Sequence, residues 1–222
     1  TATLPNFVRA DAARLPFAAG SFDAIVSNHS LEHIENLEGA LLEIGRVAKP
    51  GALLYVAVPD ASTFTDKLYR WLARGGGHVN AFTSAEQLAR KIQTTTGLKH
   101  RATRTLHSSF SFMNRTNRRV AGPRRMAVAG GGREWTLRIA TYLCRICDRA
   151  FGTRLSVYGW ALFFRNTPCE FSTKALRNVC IRCGAGSDAE WLIEIGAVSG
   201  RFPRIFRCPQ CRAKNYFTRD AG

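Results

Sequence analysis

The sequence predicts an α/β protein, a doubly wound sheet followed by a small cysteine-rich β module. Three observations carry this. Short apolar runs alternate with segments of helical periodicity between residues 7 and 165. One of them, Leu53 to Val58, is apolar nearly throughout, as a parallel strand covered on both faces must be. Two Cys-x-x-Cys pairs separated by 24 residues stand near the end of the chain. With 222 residues there is room for one moderate domain and a small one. The expected division is a domain over 1–167, a linker over 168–176 and the cysteine module over 177–222.

Phe7 to Ala10 reads as a short strand ending at Asp11, and Phe22 to Ser27 as a second with an Ala-Ile-Val centre. Leu37, Leu41, Leu42, Ile44 and Val47 recur at helical spacing, with Pro50-Gly51 as the stop. Thr83-Ser84 followed by Glu86 and Gln87 makes a capping-box start, and Gly97 ends the helix that contains Leu88 and Ile92. Residues 99–113 supply a strand, Asn114 to Gly132 a basic loop, Glu134 to Ala150 a helix and Ser156 to Arg165 the closing strand. The glycine triplets at 75–77 and 130–132 neither follow an apolar strand nor open a helix, so both read as loops rather than phosphate cradles.

Two stretches, DAARLPFAAGSFDAIVSNHSLEH and LLEIGRVAKPGALLYVAVP, occur in a set order and spacing. Together they resemble the central half of a class I S-adenosylmethionine-dependent methyltransferase of the type-11 kind, which includes the quinone-biosynthesis methyltransferases. The resemblance implies a partial Rossmann-like methyltransferase sheet. The family order is 3-2-1-4-5-7-6, and strands 1 and 2, the glycine-rich cofactor loop and the acidic ribose ligand have no counterpart here. The expectation is therefore a fragment whose intact parent binds the cofactor and whose truncated form binds it weakly or not at all. Either the Ala24–Ser27 edge is open, or Phe7–Ala10 crosses over to pair with it.

By the same resemblance Asp11 would accept a hydrogen bond from the adenine amino group, and Ala12 would offer its backbone amide to the ring. The alternative for Asp11 is a cap on the turn that follows. Ser27, Asn28 and His29 would line the gap between cofactor and acceptor, where open α/β sheets bind ligands. His29 would orient or deprotonate an acceptor hydroxyl, or serve as a polar wall. His29-Ser30-Leu31-Glu32-His33 also satisfies H-x-x-E-H, an inverted zinc-protease signature, but its setting follows the methyltransferase pattern instead. Some quinone-pathway relatives hold a divalent ion through an acidic-Leu-Glu-His cluster. His29 replaces the first acidic residue here, which departs from that pattern.

Cys180, Cys183, Cys208 and Cys211 have the spacing of a tetrahedral Cys₄ zinc site in a zinc ribbon, with strands expected at Trp191–Ile195, Arg204–Arg207 and Lys214–Thr218. With four thiolates and no open position, such a zinc is structural rather than catalytic. Cys144 and Cys147 stand mid-helix at i, i+3 and read as packing residues.

Formal charge is +16, with Arg and Lys numbering 13 against 3 acidic residues over 101–170 but 10 against 9 over 1–100. The basic C-terminal half suits an anionic partner, nucleic acid included, and one face of the 134–150 helix could lie on an anionic membrane. Its ordinary fate would be to pack over the sheet with its arginines in water. No run approaches the ~18 apolar residues of a membrane span, and no secretory signal opens the sequence, so a cytoplasmic protein is expected. Three functions are consistent with these features. The first is methyl transfer to a small-molecule, lipid-like or glycan acceptor; the second is methylation of nucleic acid. The third is a non-enzymatic zinc-ribbon module that binds nucleic acid or protein on a degenerate methyltransferase.

Overall fold

The computed structural model describes residues 7–72, 77–116 and 132–219. Residues 117–131, with Arg118, Arg119, Arg124 and Arg125 of the basic loop, lie outside them, as do Gly75, Gly76, Gly130 and Gly131 of the glycine triplets.

The principal sheet contains β1 (Phe22–Asn28), β2 (Ala48–Pro59), β3 (His100–His107) and β4 (Val157–Phe164) in the order β1-β2-β4-β3. β1 and β2 are parallel, and β4 is antiparallel to both of its neighbours. The parallel pair needs a crossover, supplied by α1 (Leu37–Val47). This is the 4-5-7-6 portion of the order that the resemblance implied. Among the described residues β1 pairs with β2 alone, so its outer edge is open.

Phe7–Ala10 is not a strand, a correction to the sequence reading: Phe7 is 88% exposed and the segment pairs with nothing in the sheet. The chain after it is strapped along α1 instead. Leu15 N donates to Glu43 Oε2 at 2.7 Å, and the Arg46 guanidinium donates to the carbonyls of Phe17 and Leu15 at 2.7 and 3.0 Å.

α1 starts where Asn36 Oδ1 accepts from Gly39 N, and it buries Leu37, Ala40, Leu41, Ile44 and Val47 on one face. Strand β2 then begins at Ala48, so Pro50-Gly51 lies inside the strand rather than stopping the helix. α3 (Ala85–Thr96) starts at Ser84, whose Oγ accepts from Gln87 N, and ends at left-handed Gly97. The two helices cross so closely at Gly45 that a Cβ there would stand 2.9 Å from the Thr96 carbonyl oxygen. They cover Ile25, Leu54, Val56, Val58, Leu162 and Phe164 from one side of the sheet.

The opposite face is thinly covered. Val26 is 69% exposed, Leu53 and Tyr55 are half-buried, and Phe163 is met by the ring of Phe171 at 4.9 Å from the segment that follows β4. The expected double cover of Leu53–Val58 holds only from Val56 onward.

Two helices were misread. α2 (Phe64–Leu72) was not foreseen, although Thr63 Oγ1 receives the Asp66 amide in a Thr-x-x-Asp start. Residues 191–195, expected as a strand, belong largely to α5 (Ala189–Glu194). Asp188 Oδ1 accepts from Glu190 N and Trp191 N, and this cap overrides the strand-like run of apolar residues.

The cysteine module holds β5 (Asn178–Val179) paired with β6 (Gly186–Ser187), and a sheet of β7 (Val198–Ser199), β8 (Ile205–Arg207) and β9 (Lys214–Tyr216). Leu192, Phe206, Ala213 and Phe217 pack with the cysteines at its centre. It docks on the helix α4 (Glu134–Phe151). Arg182 pairs with Glu134 through two hydrogen bonds, Arg138 Nε donates to Lys214 O at 2.9 Å, and Arg145 donates to Val179 O at 3.1 Å. Ser109 Oγ and Asn114 Nδ2 donate to the carbonyls of Cys180 and Ile181. Arg138 and Arg145 of α4 thus face protein, the reverse of the orientation expected, while Arg149 stays exposed. Cys144 packs beside Leu137 and Ile181, in keeping with its reading as a packing residue.

Candidate functional site

Parallel strands deliver their carboxyl ends to one edge of the sheet, and β1 delivers Ser27, Asn28 and His29 there. Alternation along β1 sends Ser27 and Asn28 to opposite faces. Ser27 is buried and its hydroxyl lies 2.7 Å from that of Ser30, which closes a local turn. Asn28 is exposed and, with His29, lines a cavity of about 420 Å³ together with Ser108, Ser109, Tyr158 and Cys183. The cysteine module therefore contributes a wall to the cavity at the end of β1.

His29 has φ +52°, the left-handed region that a β-carbon disfavours. Its amide donates to Ala57 O at 2.9 Å, continuing the β1–β2 pairing, and its ring lies 5.2 Å from that of Tyr158. Burial is the main cause that brings its pKa down to about 4, with His78 and His33 adding repulsion.

Asp11 and Ala12 do not line this cavity. Asp11 Oδ1 accepts from Ala13 N at 2.9 Å and its carbonyl accepts from Arg14 N, so the carboxylate caps its own turn. That turn stands at the N-terminal end of α1, since a Cβ on Gly39 would lie 3.0 Å from the Ala13 side chain. α1 starts at the edge of the sheet to which β1 delivers His29. The Asp11 carboxylate is exposed, and Oδ2 is the oxygen left to receive an amino group.

Behind His29 lies a cluster that sequence reasoning did not assemble. Glu32 and His33 sit in a short 3₁₀ turn (Leu31–His33), and His78 arrives from a segment whose next two amides, Val79 and Asn80, donate to the Glu32 carbonyl. A 3₁₀ turn does not set the two histidines of H-x-x-E-H on one side of a helix, so the protease geometry is absent. Glu32, His33 and His78 each offer a ligand atom within 4.8 Å of the others. Asp66 of α2 stands beside them with Oδ2 on Arg70 at 2.7 Å.

Glu32 is 1% exposed and Asp66 fully buried, yet Glu32 Oε2 has no hydrogen-bond partner, and Asp66 Oδ1 and His78 Nδ1 have only each other at 3.6 Å. Buried polar atoms left in this state are costly, and a divalent cation would satisfy them. Two imidazoles and a carboxylate form a donor set that first-row divalent metals accept. The residues present thus fit a metal, through His78 rather than through an acidic residue at position 29.

In the cysteine module both knuckles share one backbone pattern. Gly184 N and Arg212 N donate to Cys180 O and Cys208 O, and Cys180 N and Cys208 N donate to Ala185 O and Ala213 O. Gly184 (φ +76°) and Arg212 (φ +60°) close the two turns in the left-handed region. Cys180 Sγ is 3.5 Å from Cys211 Sγ, and Cys183 Sγ is 3.6 Å from Cys208 Sγ. These distances are far beyond a disulfide and close to the ~3.8 Å edge of a tetrahedron with ~2.3 Å zinc–sulfur bonds.

Residues 1–56 match the family model described as a methyltransferase domain. A demethylmenaquinone methyltransferase of Renibacterium salmoninarum is 42% identical over 59 residues, which is 27% of this chain and 25% of that protein. A malonyl-acyl-carrier-protein O-methyltransferase of Methylococcus capsulatus is 33% identical over 89 residues, covering 40% of this chain and 32% of the relative. A ubiquinone/menaquinone biosynthesis C-methyltransferase of Haemophilus ducreyi is 31% identical over 120 residues, 50% of this chain and 46% of the relative. The matched part thus spans about a quarter of the length of the demethylmenaquinone methyltransferase. Among solved structures, a methyltransferase of Thermotoga maritima described as a possible histamine N-methyltransferase aligns with TM-score 0.43 at 16% identity, covering 72% of this chain and 63% of that one. A putative methyltransferase of Bacillus halodurans gives TM-score 0.43 at 18% identity, with 72% and 71% covered.

Proposed function

We propose, from the match of residues 1–56 to the methyltransferase domain family, that the chain serves S-adenosylmethionine-dependent methyl transfer to a small-molecule or lipid-like acceptor. The supporting observation is that Asn28 and His29 leave the carboxyl end of β1 and line a 420 Å³ cavity, with the Asp11 turn beside the same end of α1. The relatives act, by their names, on quinones and on malonyl-acyl carrier protein, which favours a small or lipid-like acceptor over nucleic acid.

In this reading the cofactor supplies an electrophilic methyl group, and the protein holds the acceptor in line with it. Asp11 receives the adenine amino group and the Ala12 amide meets the ring. Asn28 and His29 separate cofactor from acceptor, and His29 orients the acceptor hydroxyl from a ring fixed by Tyr158. Ser27 acts by shaping the turn, its hydroxyl being engaged with Ser30. Glu32, His33 and His78 would hold a divalent ion, which supplies Lewis acidity toward an acceptor oxygen when bound. Cys180, Cys183, Cys208 and Cys211 would hold a structural zinc that fixes the Cys183 wall of the cavity.

The test is methyl transfer from labelled S-adenosylmethionine by the whole protein, offered quinol and hydroxylated aromatic acceptors. Asp11→Ala is expected to raise the cofactor KM about 10-fold, and His29→Ala to lower kcat about 100-fold. Product formation unchanged in both variants would reject the assignment.

A further inference from the structure

α4 presents to solvent a stripe of large apolar side chains at helical spacing. Trp135, Ile139, Leu143 and Ile146 are 56%, 40%, 54% and 41% exposed. Phe202, at the turn between β7 and β8, is 89% exposed. A contiguous apolar row of this kind on a helix surface marks an interaction site.

Directly beside the stripe runs a cavity of about 290 Å³, whose walls include Arg145, Arg149, Arg177, Arg201, Arg204 and Arg219. Ile146 and Phe202 line the same cavity, so apolar and cationic groups meet at its mouth. Among the described residues no carboxylate lines it. The neighbouring cavity shares Arg145, Arg149 and Arg177, and there Asp148 has both oxygens taken by Thr153, Leu155 and Ser156.

We propose that the outer face of α4 and the adjoining arginine cavity form a docking surface for an anionic phospholipid membrane. The apolar stripe enters the boundary between headgroups and acyl chains, and the cavity receives lipid phosphates. Each half of the surface excludes a rival occupant. A second copy could bury the stripe, but among the described residues no group lining the cavity would offer its arginines an anion. Nucleic acid would satisfy the arginines but leave the aliphatic row of Ile139, Leu143 and Ile146 unused, because bases stack on aromatic planes. The surface stands whether or not the chain transfers methyl groups. No helix among the described residues is long and apolar enough to cross a membrane.

The test is flotation of the zinc-loaded full chain with vesicles of phosphatidylcholine alone and of phosphatidylcholine mixed with phosphatidylglycerol. Tryptophan emission is followed beside that of Trp135→Phe, because Trp71, Trp160 and Trp191 also fluoresce. Binding is expected to be at least about 10-fold stronger to the mixed vesicles and to weaken with salt, with a blue shift in tryptophan emission. Ile139→Asp with Leu143→Asp should abolish flotation. Arg149→Glu with Arg201→Glu should weaken it about 10-fold, whereas Arg90→Glu, on the far helix α3, should leave most of it. The substituted side chains are exposed, and thermal unfolding of each variant verifies that it is folded. Absence of binding to mixed vesicles, or flotation unaltered by the aspartate pair, would overturn the proposal. So would dimerisation that the aspartate pair abolishes in a protein that binds no vesicle, which would assign the stripe to a second copy. A 20-nucleotide RNA that displaces bound vesicles and leaves Trp135 emission unshifted would assign the arginines to nucleic acid and overturn it as well.

Discussion

The chain contains two groups of metal-competent side chains built in opposite ways. Cys180, Cys183, Cys208 and Cys211 come from two short turns with one hydrogen-bond pattern, four identical donors at 3.5–3.6 Å across the cluster. Glu32, His33 and His78 come from a 3₁₀ turn and a distant loop, with Asp66 supplied by a helix between them. The small module around the first group has little other core. The second is embedded in a larger domain and held by ordinary contacts: Arg70 on Asp66, Tyr69 stacked on His78 at 5.5 Å, and Gly77 O on His33 Nδ1. A metal in the cysteine group would contribute to folding itself, whereas a metal in the carboxylate–imidazole group would add to a domain with a larger core of its own.

The largest effect that separates the two should follow loss of the cysteine site. A structural zinc of this kind contributes on the order of 10 kcal/mol to folding. Cys208→Ser, or a strong chelator, is expected to unfold residues 177–219 and to strip α4 of its contacts at Arg138, Arg145 and Glu134. Amide exchange with zinc quantified alongside checks this; full protection of β7–β9 at zero zinc would contradict it.

Next in size is Arg70→Ala, which leaves the fully buried Asp66 carboxylate without its ion pair. About 3 kcal/mol of stability should be lost in urea unfolding. Added manganese should restore part of it, roughly 2.7 kcal/mol at a concentration a hundred times the dissociation constant. Manganese should do nothing in the Arg70→Ala, His78→Ala double variant, and equal recovery there would place the ion elsewhere.

An effect of comparable size tests the joint between the two regions. His107 lines both the cavity at the end of β1 and its arginine-lined neighbour. Burial lowers its pKa to about 4, helped by Arg145 and Arg177. An unfolded histidine binds its proton near 6.5, so the native state carries fewer protons between these values. The stability due to neutral His107 is therefore whole above pH 6.5, declines as pH falls, and is gone below about 4. The expected loss is of order 3 kcal/mol, and His107→Gln should lower the slope of that part of the pH–stability curve, His29 supplying a share of its own. An unchanged slope would show that the ring is not held neutral.

What could be read in the sequence follows the same division. The cysteine knuckles, the Ser84 cap with its Gly97 stop, and the apolar period of α1 are local patterns, and each appears where expected. Phe7–Ala10 failed as a strand because strand character needs a partner, and Glu43 and Arg46 strap the following chain to α1 instead. The 191–195 segment failed because one capping carboxylate, Asp188, outweighs a run of apolar residues. The orientation of α4 was reversed because burial of apolar groups was assumed to decide it. Arg138, Arg145 and the Arg182–Glu134 pair turn the cationic side toward the cysteine module, and the stripe from Trp135 to Ile146 is left outward. His78 and Asp66 were invisible beside His33 because they lie 45 and 33 residues away and only the fold brings them there.

The most direct measurement is an amide NMR titration of the chain with S-adenosylhomocysteine, which registers even millimolar binding. Shifts should concentrate at Asp11, Ala12, Asn28 and His29, on two separate segments, and vanish from both in Asp11→Ala. Shifts confined to other parts of the molecule, or none at saturating ligand, would contradict the placement of the methyl-transfer site at the end of β1.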